Sequence, residues 1–151
     1  MNEKKNLTIE ETFALAVQNH KKNNLQVAEN LYKKILKTNP NSAGVHNNLG
    51  MMYKTLEEYQ KAISCYEKAI QIDPNHVNAH YNLGNILQEL RELQKAKNCY
   101  EKLLNLDPTY KKGYAGYGNL LLKISQHNKG LAYIRKGNGV IRFTQKDFKI
   151  I

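Results

Sequence analysis

Residues 43–76 read AGVHNNLGMMYKTLEEYQKAISCYEKAIQIDPNH, and residues 77–110 read VNAHYNLGNILQELRELQKAKNCYEKLLNLDPTY. Laid over each other without a gap, they agree at 15 of 34 positions. The identities include His46/His80, Asn48/Asn82, Leu49/Leu83, Cys65/Cys99 and Glu67/Glu101. The same interval of 34 runs outward on both sides. It joins Pro40, Pro74 and Pro108, then Ala28, Ala62 and Ala96, then Tyr32, Tyr66 and Tyr100, and also Gly50, Gly84 and Gly118. A fixed period of roughly 20–50 residues marks an array of stacked units, and this one suits a helix–turn–helix unit.

Two helical stripes fill each unit. Leu49, Met52, Tyr53 and Leu56 form the first; Tyr59, Ala62, Ile63, Tyr66, Ala69 and Ile70 form the second. Glu57, Glu58, Lys61 and Lys68 fall on the other face. The break around 55–58 is short, so the two helices must pack antiparallel. The Asp-Pro pairs stop each second helix, because proline cannot continue one. Asn41, Asn75 and Thr109 follow as candidate N-caps. The spacing predicts helices over 8–22, 25–37, 43–55, 59–71, 77–89, 93–105, 111–123 and 127–136. Gly137, Asn138 and Gly139 are expected to end the last one, ahead of the apolar Val140–Phe143 and a basic tail over 145–151.

These residues resemble the tetratricopeptide repeat family, whose pattern runs Leu-Gly, an aromatic three residues on, then Ala, an aromatic, Ala and Pro. Residues 43–76 supply Leu49, Gly50, Tyr53, Ala62, Tyr66, Ala69 and Pro74. Residues 77–110 supply Leu83, Gly84, Ala96, Tyr100 and Pro108, departing at Leu87 and Leu103. Residues 9–42 supply Leu15, Ala16, Ala28, Tyr32 and Pro40. Residues 111–144 keep Tyr114, Tyr117, Gly118 and Leu121 but have Gly130, Ile134 and Gly137 in the second helix and no proline. The resemblance implies an all-α fold, a right-handed superhelical solenoid of antiparallel helix pairs. It gives about four repeats, 9–42, 43–76, 77–110 and a degenerate 111–144, in one array over 1–144. The helix around 127–136 is expected to be the weakest element, since an interior glycine costs about 1 kcal/mol.

Composition bounds the function. The net charge is +10, with +8 in 111–151 and the three earlier stretches near balance, and 20 of the 23 basic residues are lysine. That basic end lacks arginine-rich or nucleic-acid motifs, so a solvated lysine face or an acidic partner is preferred to nucleic acid. No apolar run reaches the roughly 20 residues of a membrane helix, and a cytoplasmic location is expected.

Chemistry is sparse. Cys65 and Cys99 sit at equivalent places on adjacent units, where helix axes about 8–10 Å apart exceed the reach of a disulfide. His76 and His80 are four apart but lack a third ligand, so no metal is expected. No nucleophile–base pair, phosphate loop or cofactor motif is legible, so no enzyme activity and no cofactor are expected.

The asparagines carry more information. Asn48 and Asn82 both sit two residues before the repeat glycine, and stacked units place such positions in a row. The resemblance puts first helices on the concave side, so the expected peptide groove is Asn47, Asn48, Met51, Asn78, Tyr81, Asn82, Asn85, Lys112 and Asn119. An amide both donates and accepts, so it can hold the backbone of an extended peptide. The row is similar to the asparagine ladder of O-GlcNAc-transferase-type arrays. Carboxylate-clamp repeats match only at Asn82 and Lys112, with Asn47, Met51 and Gly116 departing, which disfavours chaperone tails. The expected function is a protein-interaction scaffold for an extended or helical peptide, with a substrate-recognition arm of an enzyme as the alternative.

Overall fold

The computed structural model describes residues 7–138. Val140–Phe143, the end of the fourth repeat at 144 and the basic tail over 145–151 lie outside the described residues. Those described form eight helices and no strand: α1 (Ile9–Lys21), α2 (Leu25–Thr38), α3 (Ala43–Thr55), α4 (Tyr59–Ile72), α5 (Val77–Glu89), α6 (Leu93–Leu106), α7 (Lys111–Lys123) and α8 (His127–Asn138). The chain divides into two compact units, Met1–Ile86 and Leu87–Ile151, with the boundary inside α5.

Each hairpin turns in the same way. Asn23, Glu57, Arg91 and Ser125, again 34 apart, hold φ of 61°, 57°, 65° and 62°. At the second turn the Glu57 N–H donates to the Lys54 carbonyl at 3.0 Å and the Glu58 N–H to the Tyr53 carbonyl at 2.9 Å. The pattern recurs at 23–24, 91–92 and 125–126. This paired closure satisfies the last carbonyls of the first helix and reverses the chain in about three residues. Glycine is the usual residue there, and four side chains stand in its place.

The links between repeats are built differently. Asp73 and Asp107 accept the N–H groups of Asn75 and Thr109 at 3.0 and 2.8 Å, closing the turn beside each proline. Asn75 and Thr109 are turn residues and not N-caps: the residues directly before α5 and α7 are His76 and Tyr110. Asn41 is not one either, since Ser42 stands at the cap of α3. His76 caps α5 through Nδ1, which accepts from the Ala79 N–H at 3.2 Å. His46 and His80 bond through Nε2 to the Pro40 and Pro74 carbonyls at 3.0 and 2.9 Å, tying each first helix to the loop before it.

In the first unit Ala16, Ala28, Tyr32, Ile35, Met52, Ala62, Tyr66 and Ala69 are buried. Gly50 admits the Tyr66 ring, which stands 2.7 Å from where a Cβ would be. Tyr53 donates to Glu29 at 2.7 Å, joining α3 to α2. Burial pushes the Tyr32 phenol up to about 12.

In the second unit α7 and α8 meet nearly backbone to backbone. A Cβ on Gly118 would lie 2.7 Å from the Gly130 carbonyl oxygen, and one on Gly137 would lie 2.7 Å from that of Lys111. Tyr133 packs edge-on to Tyr117 at 4.8 Å, and the Lys136 ammonium sits 4.3 Å over the Tyr114 ring. Gly137 does not end the helix, as α8 continues to Asn138. Gly130 and Gly137 are contact residues, because only a missing side chain lets the two backbones approach so closely.

Candidate functional site

Helical spacing puts Gly44, Asn47, Asn48 and Met51 on one face of α3 and Asn78, Tyr81, Asn82 and Asn85 on one face of α5. The other sides of these helices carry Leu49, Tyr53 and Leu83, which are buried. All of these asparagines lie in the first unit.

The structure brings Asn47 and Asn82 together. The Asn82 amide donates through Nδ2 to Asn47 Oδ1 at 3.0 Å, linking the third and second repeats. Asn47 turns its own Nδ2 toward Met51 Sδ, 3.8 Å away. This chain of contacts is directional. Asn47 gives both ends of its amide to protein, and it is only 6% exposed. It is therefore corrected from a groove-lining residue to a support that orients Asn82. Asn82 is half-buried, and its Oδ1 has no partner among the described residues. Asn48 is likewise half-buried with no side-chain bond among the described residues. Met51 is 41% exposed beside them. Asn78 is exposed, and Tyr81 and Asn85 are half-buried; each has an interaction of its own.

Lys112 and Asn119 are both exposed, on α7 in the second unit. Asn119 lies one residue past Gly118, and Gly116 occupies the place that Asn48 and Asn82 hold in earlier repeats. A Cβ at Gly116 would meet the Tyr100 ring at 2.8 Å, so packing there replaces the amide.

One step back along the array, the positions 34 before Asn47 and Asn82 are Phe13 and Asn48. An aromatic thus stands where the next pair has an amide. Between α1 and α3 lies a depression of about 280 Å³ lined by Ile9, Glu10, Phe13, Ser42, Gly44 and Val45. Sequence reasoning missed it, since its signal is one glycine in the first turn of a helix.

A larger open trough of about 810 Å³ runs along α3 and α4, past Tyr53, Lys61, Ser64, Cys65, Lys68 and Gln71. Its polar groups are long exposed chains that do not converge. Neither cysteine is in a disulfide, and burial pushes the Cys65 thiol up to about 11, far from a reactive thiolate. Among the described residues no three His, Cys, Asp or Glu side chains gather as a metal site. No helix there is long and apolar enough to cross a membrane.

The tetratricopeptide repeat family matches residues 43–76, and a second form of that repeat matches 65–98. No curated protein matches the chain. Among solved structures, MamA superposes with a TM-score of 0.78 at 23% identity, over 87% of this chain and 77% of that one. PilF of Pseudomonas aeruginosa gives 0.79 at 24%, over 88% of this chain and 62% of that one. MamA from Desulfovibrio magneticus RS-1, from residue 41 onward, gives 0.76 at 21%, over 87% and 74%. Likeness at this level of identity is likeness of fold.

Proposed function

This chain carries tetratricopeptide repeats, the repeats of a protein-interaction scaffold, and from that premise we propose that the α3/α5 face holds an extended segment of another protein by its backbone. The observation that carries the reading is the bond from Asn82 to Asn47. By fixing which way the Asn82 amide points, it leaves Oδ1 as an acceptor for a ligand N–H. Asn48, with both amide ends unused among the described residues, has a donor and an acceptor to offer the same strand. Met51 supplies apolar contact beside them. Preorganisation matters because an amide already held in place loses less freedom on binding. Contacts to backbone leave ligand side chains unread, so they supply affinity and not identity.

The residues act by holding and orienting a partner, and no catalytic step is assigned to them. A cytoplasmic setting suits two cysteines that form no disulfide. Lys112 and Asn119 on α7 are a separate candidate surface for an acidic ligand.

The test is a comparative capture. Tagged wild type and an Asn48→Ala/Asn82→Ala variant are used as bait, and the captured protein that differs is titrated by calorimetry against both. The variant is expected to bind about tenfold or more weakly, since each net hydrogen bond contributes about 0.5–1.5 kcal/mol. Its melting temperature should be unchanged. Equal affinity, or a variant that melts early and binds normally once folded, would overturn the reading.

A further inference from the structure

Gly44 stands in the first turn of α3, and a Cβ built there would meet no atom within 4 Å. Glycine is a poor helix former, so this position gives up stability without any crowding to require it. What the missing side chain leaves is the floor of the depression between α1 and α3. Val45 and Phe13 wall it, and Ile9 rims it while 43% exposed to water. Covering such a rim with an apolar group is favourable. Glu10 lies at the mouth, exposed and without an ion-pair partner among the described residues. The first two turns of α1 and α3 carry two carboxylates, Glu10 and Glu11, and no lysine or arginine.

We propose that this depression seats one aliphatic side chain of the ligand strand, and that a basic residue next to it meets Glu10. The inference rests on the backbone-holding reading above and adds a register to it. Gly44 and Asn47 are three residues apart, about 4.5 Å along the helix. The α1/α3 and α3/α5 seams are one helix spacing apart, about 8–10 Å. The depression and the amide pair are therefore separated by about 10 Å, which an extended strand spans in roughly three residues. The partner is a segment with a basic–aliphatic pair, followed about three residues later by backbone free to bond Asn48 and Asn82. Charge selects against an acidic ligand at this seam.

The test uses fluorescein-labelled peptides of about twelve residues, Gly and Ser throughout except for a central Arg-Leu, Glu-Leu or Arg-Ser pair. Anisotropy titrations are run on the full chain as wild type, Gly44→Trp, Gly44→Leu, Glu10→Gln and Asn48→Ala/Asn82→Ala. The Arg-Leu peptide should bind wild type tightest. Exchanging Leu for Ser should cost ten- to hundredfold, the range for burying one aliphatic side chain. Exchanging Arg for Glu should cost severalfold at low salt and nothing in Glu10→Gln. A Cβ at Gly44 is uncrowded and opens onto the depression, so Gly44→Trp and Gly44→Leu should fold normally and bind Arg-Leu no better than Arg-Ser. Wild type that binds the Leu and Ser peptides equally, or binds neither, overturns the inference. So does Arg-Leu binding that survives both Gly44 variants. Loss of binding in the asparagine double variant alone would leave the backbone reading standing and the depression refuted. Loss in the Gly44 variants alone would do the reverse.

Discussion

Gly118 and Gly44 are both helical glycines, and replacing each by alanine should have opposite effects. A Cβ on Gly118 would lie 2.6 Å from Ile134 Cγ1, 2.7 Å from the Gly130 carbonyl oxygen and 2.9 Å from the Ile134 nitrogen. Two of those neighbours are backbone, so no rotamer change relieves the clash and α8 must move away from α7. Overpacking of this kind costs about 1–3 kcal/mol. The better helix propensity of alanine returns about 1 kcal/mol, leaving a net loss of up to about 2 kcal/mol. Gly44→Ala has the propensity gain and no clash, so it should stabilise by up to about 1 kcal/mol. Urea and thermal unfolding of the two variants decide the matter. For a chain of this size about 1 kcal/mol moves the melting temperature by roughly 2–4 °C. Gly118→Ala should melt lower than wild type and Gly44→Ala higher. If both shift upward alike, the backbone-to-backbone contact of α7 and α8 is refuted.

Glu57→Gly and Arg91→Gly should each stabilise by about 0.5 kcal/mol, because left-handed backbone costs an L side chain about 1 kcal/mol and glycine's looser unfolded state returns part of it. Alanine at the same sites should bring no gain, and equal melting of the two variants would count against strain at the turns. Cys65, with its thiol pushed up to about 11 by burial, should react with iodoacetamide at pH about 8 roughly a hundredfold more slowly than a thiol at the ordinary 9.0. A free-thiol rate would contradict its burial. Hydrogen bonds from Lys33 and Tyr53 hold the Glu29 carboxyl below its ordinary 4.5, so its stabilisation is present above that pH and lost as the pH falls below it. Tyr53→Phe should flatten the acid limb of the urea midpoint below about pH 4.5, and an unchanged limb would contradict the bond.

The 34-residue period and the alternation of apolar stripes were enough to read helix identity and nearly every boundary. They work because each repeat's core is local: Gly50 and Tyr66 meet inside one hairpin. The turns were not legible, since Asn23, Glu57, Arg91 and Ser125 share a conformation but no chemistry. Asn75 and Thr109 looked like caps because cap residues and turn residues have the same side-chain oxygens, and only the position of Asp73 and Asp107 tells them apart. Gly130 read as a destabilising interior glycine and Gly137 as a helix end because their value lies in a neighbour, α7, that a single-helix argument does not include. At the candidate site the spacing of Asn48 and Asn82 was visible. The pairing of Asn82 with Asn47 was not, because it joins positions 35 residues apart, one off the repeat.

The most direct measurement is a ¹⁵N–¹H spectrum of the full chain titrated with the Arg-Leu peptide, following the side-chain amides of Asn47, Asn48, Asn82 and Asn85. Binding by the α3/α5 face should shift the Asn48 and Asn82 amides most. Asn47 should shift less, and only through its bond to Asn82, while the outward residues Ser64 and Lys68 of α4 should stay still. Saturating shifts confined to α4, or a titration that leaves the Asn48 and Asn82 amides unmoved, would contradict the proposal that this face holds the ligand.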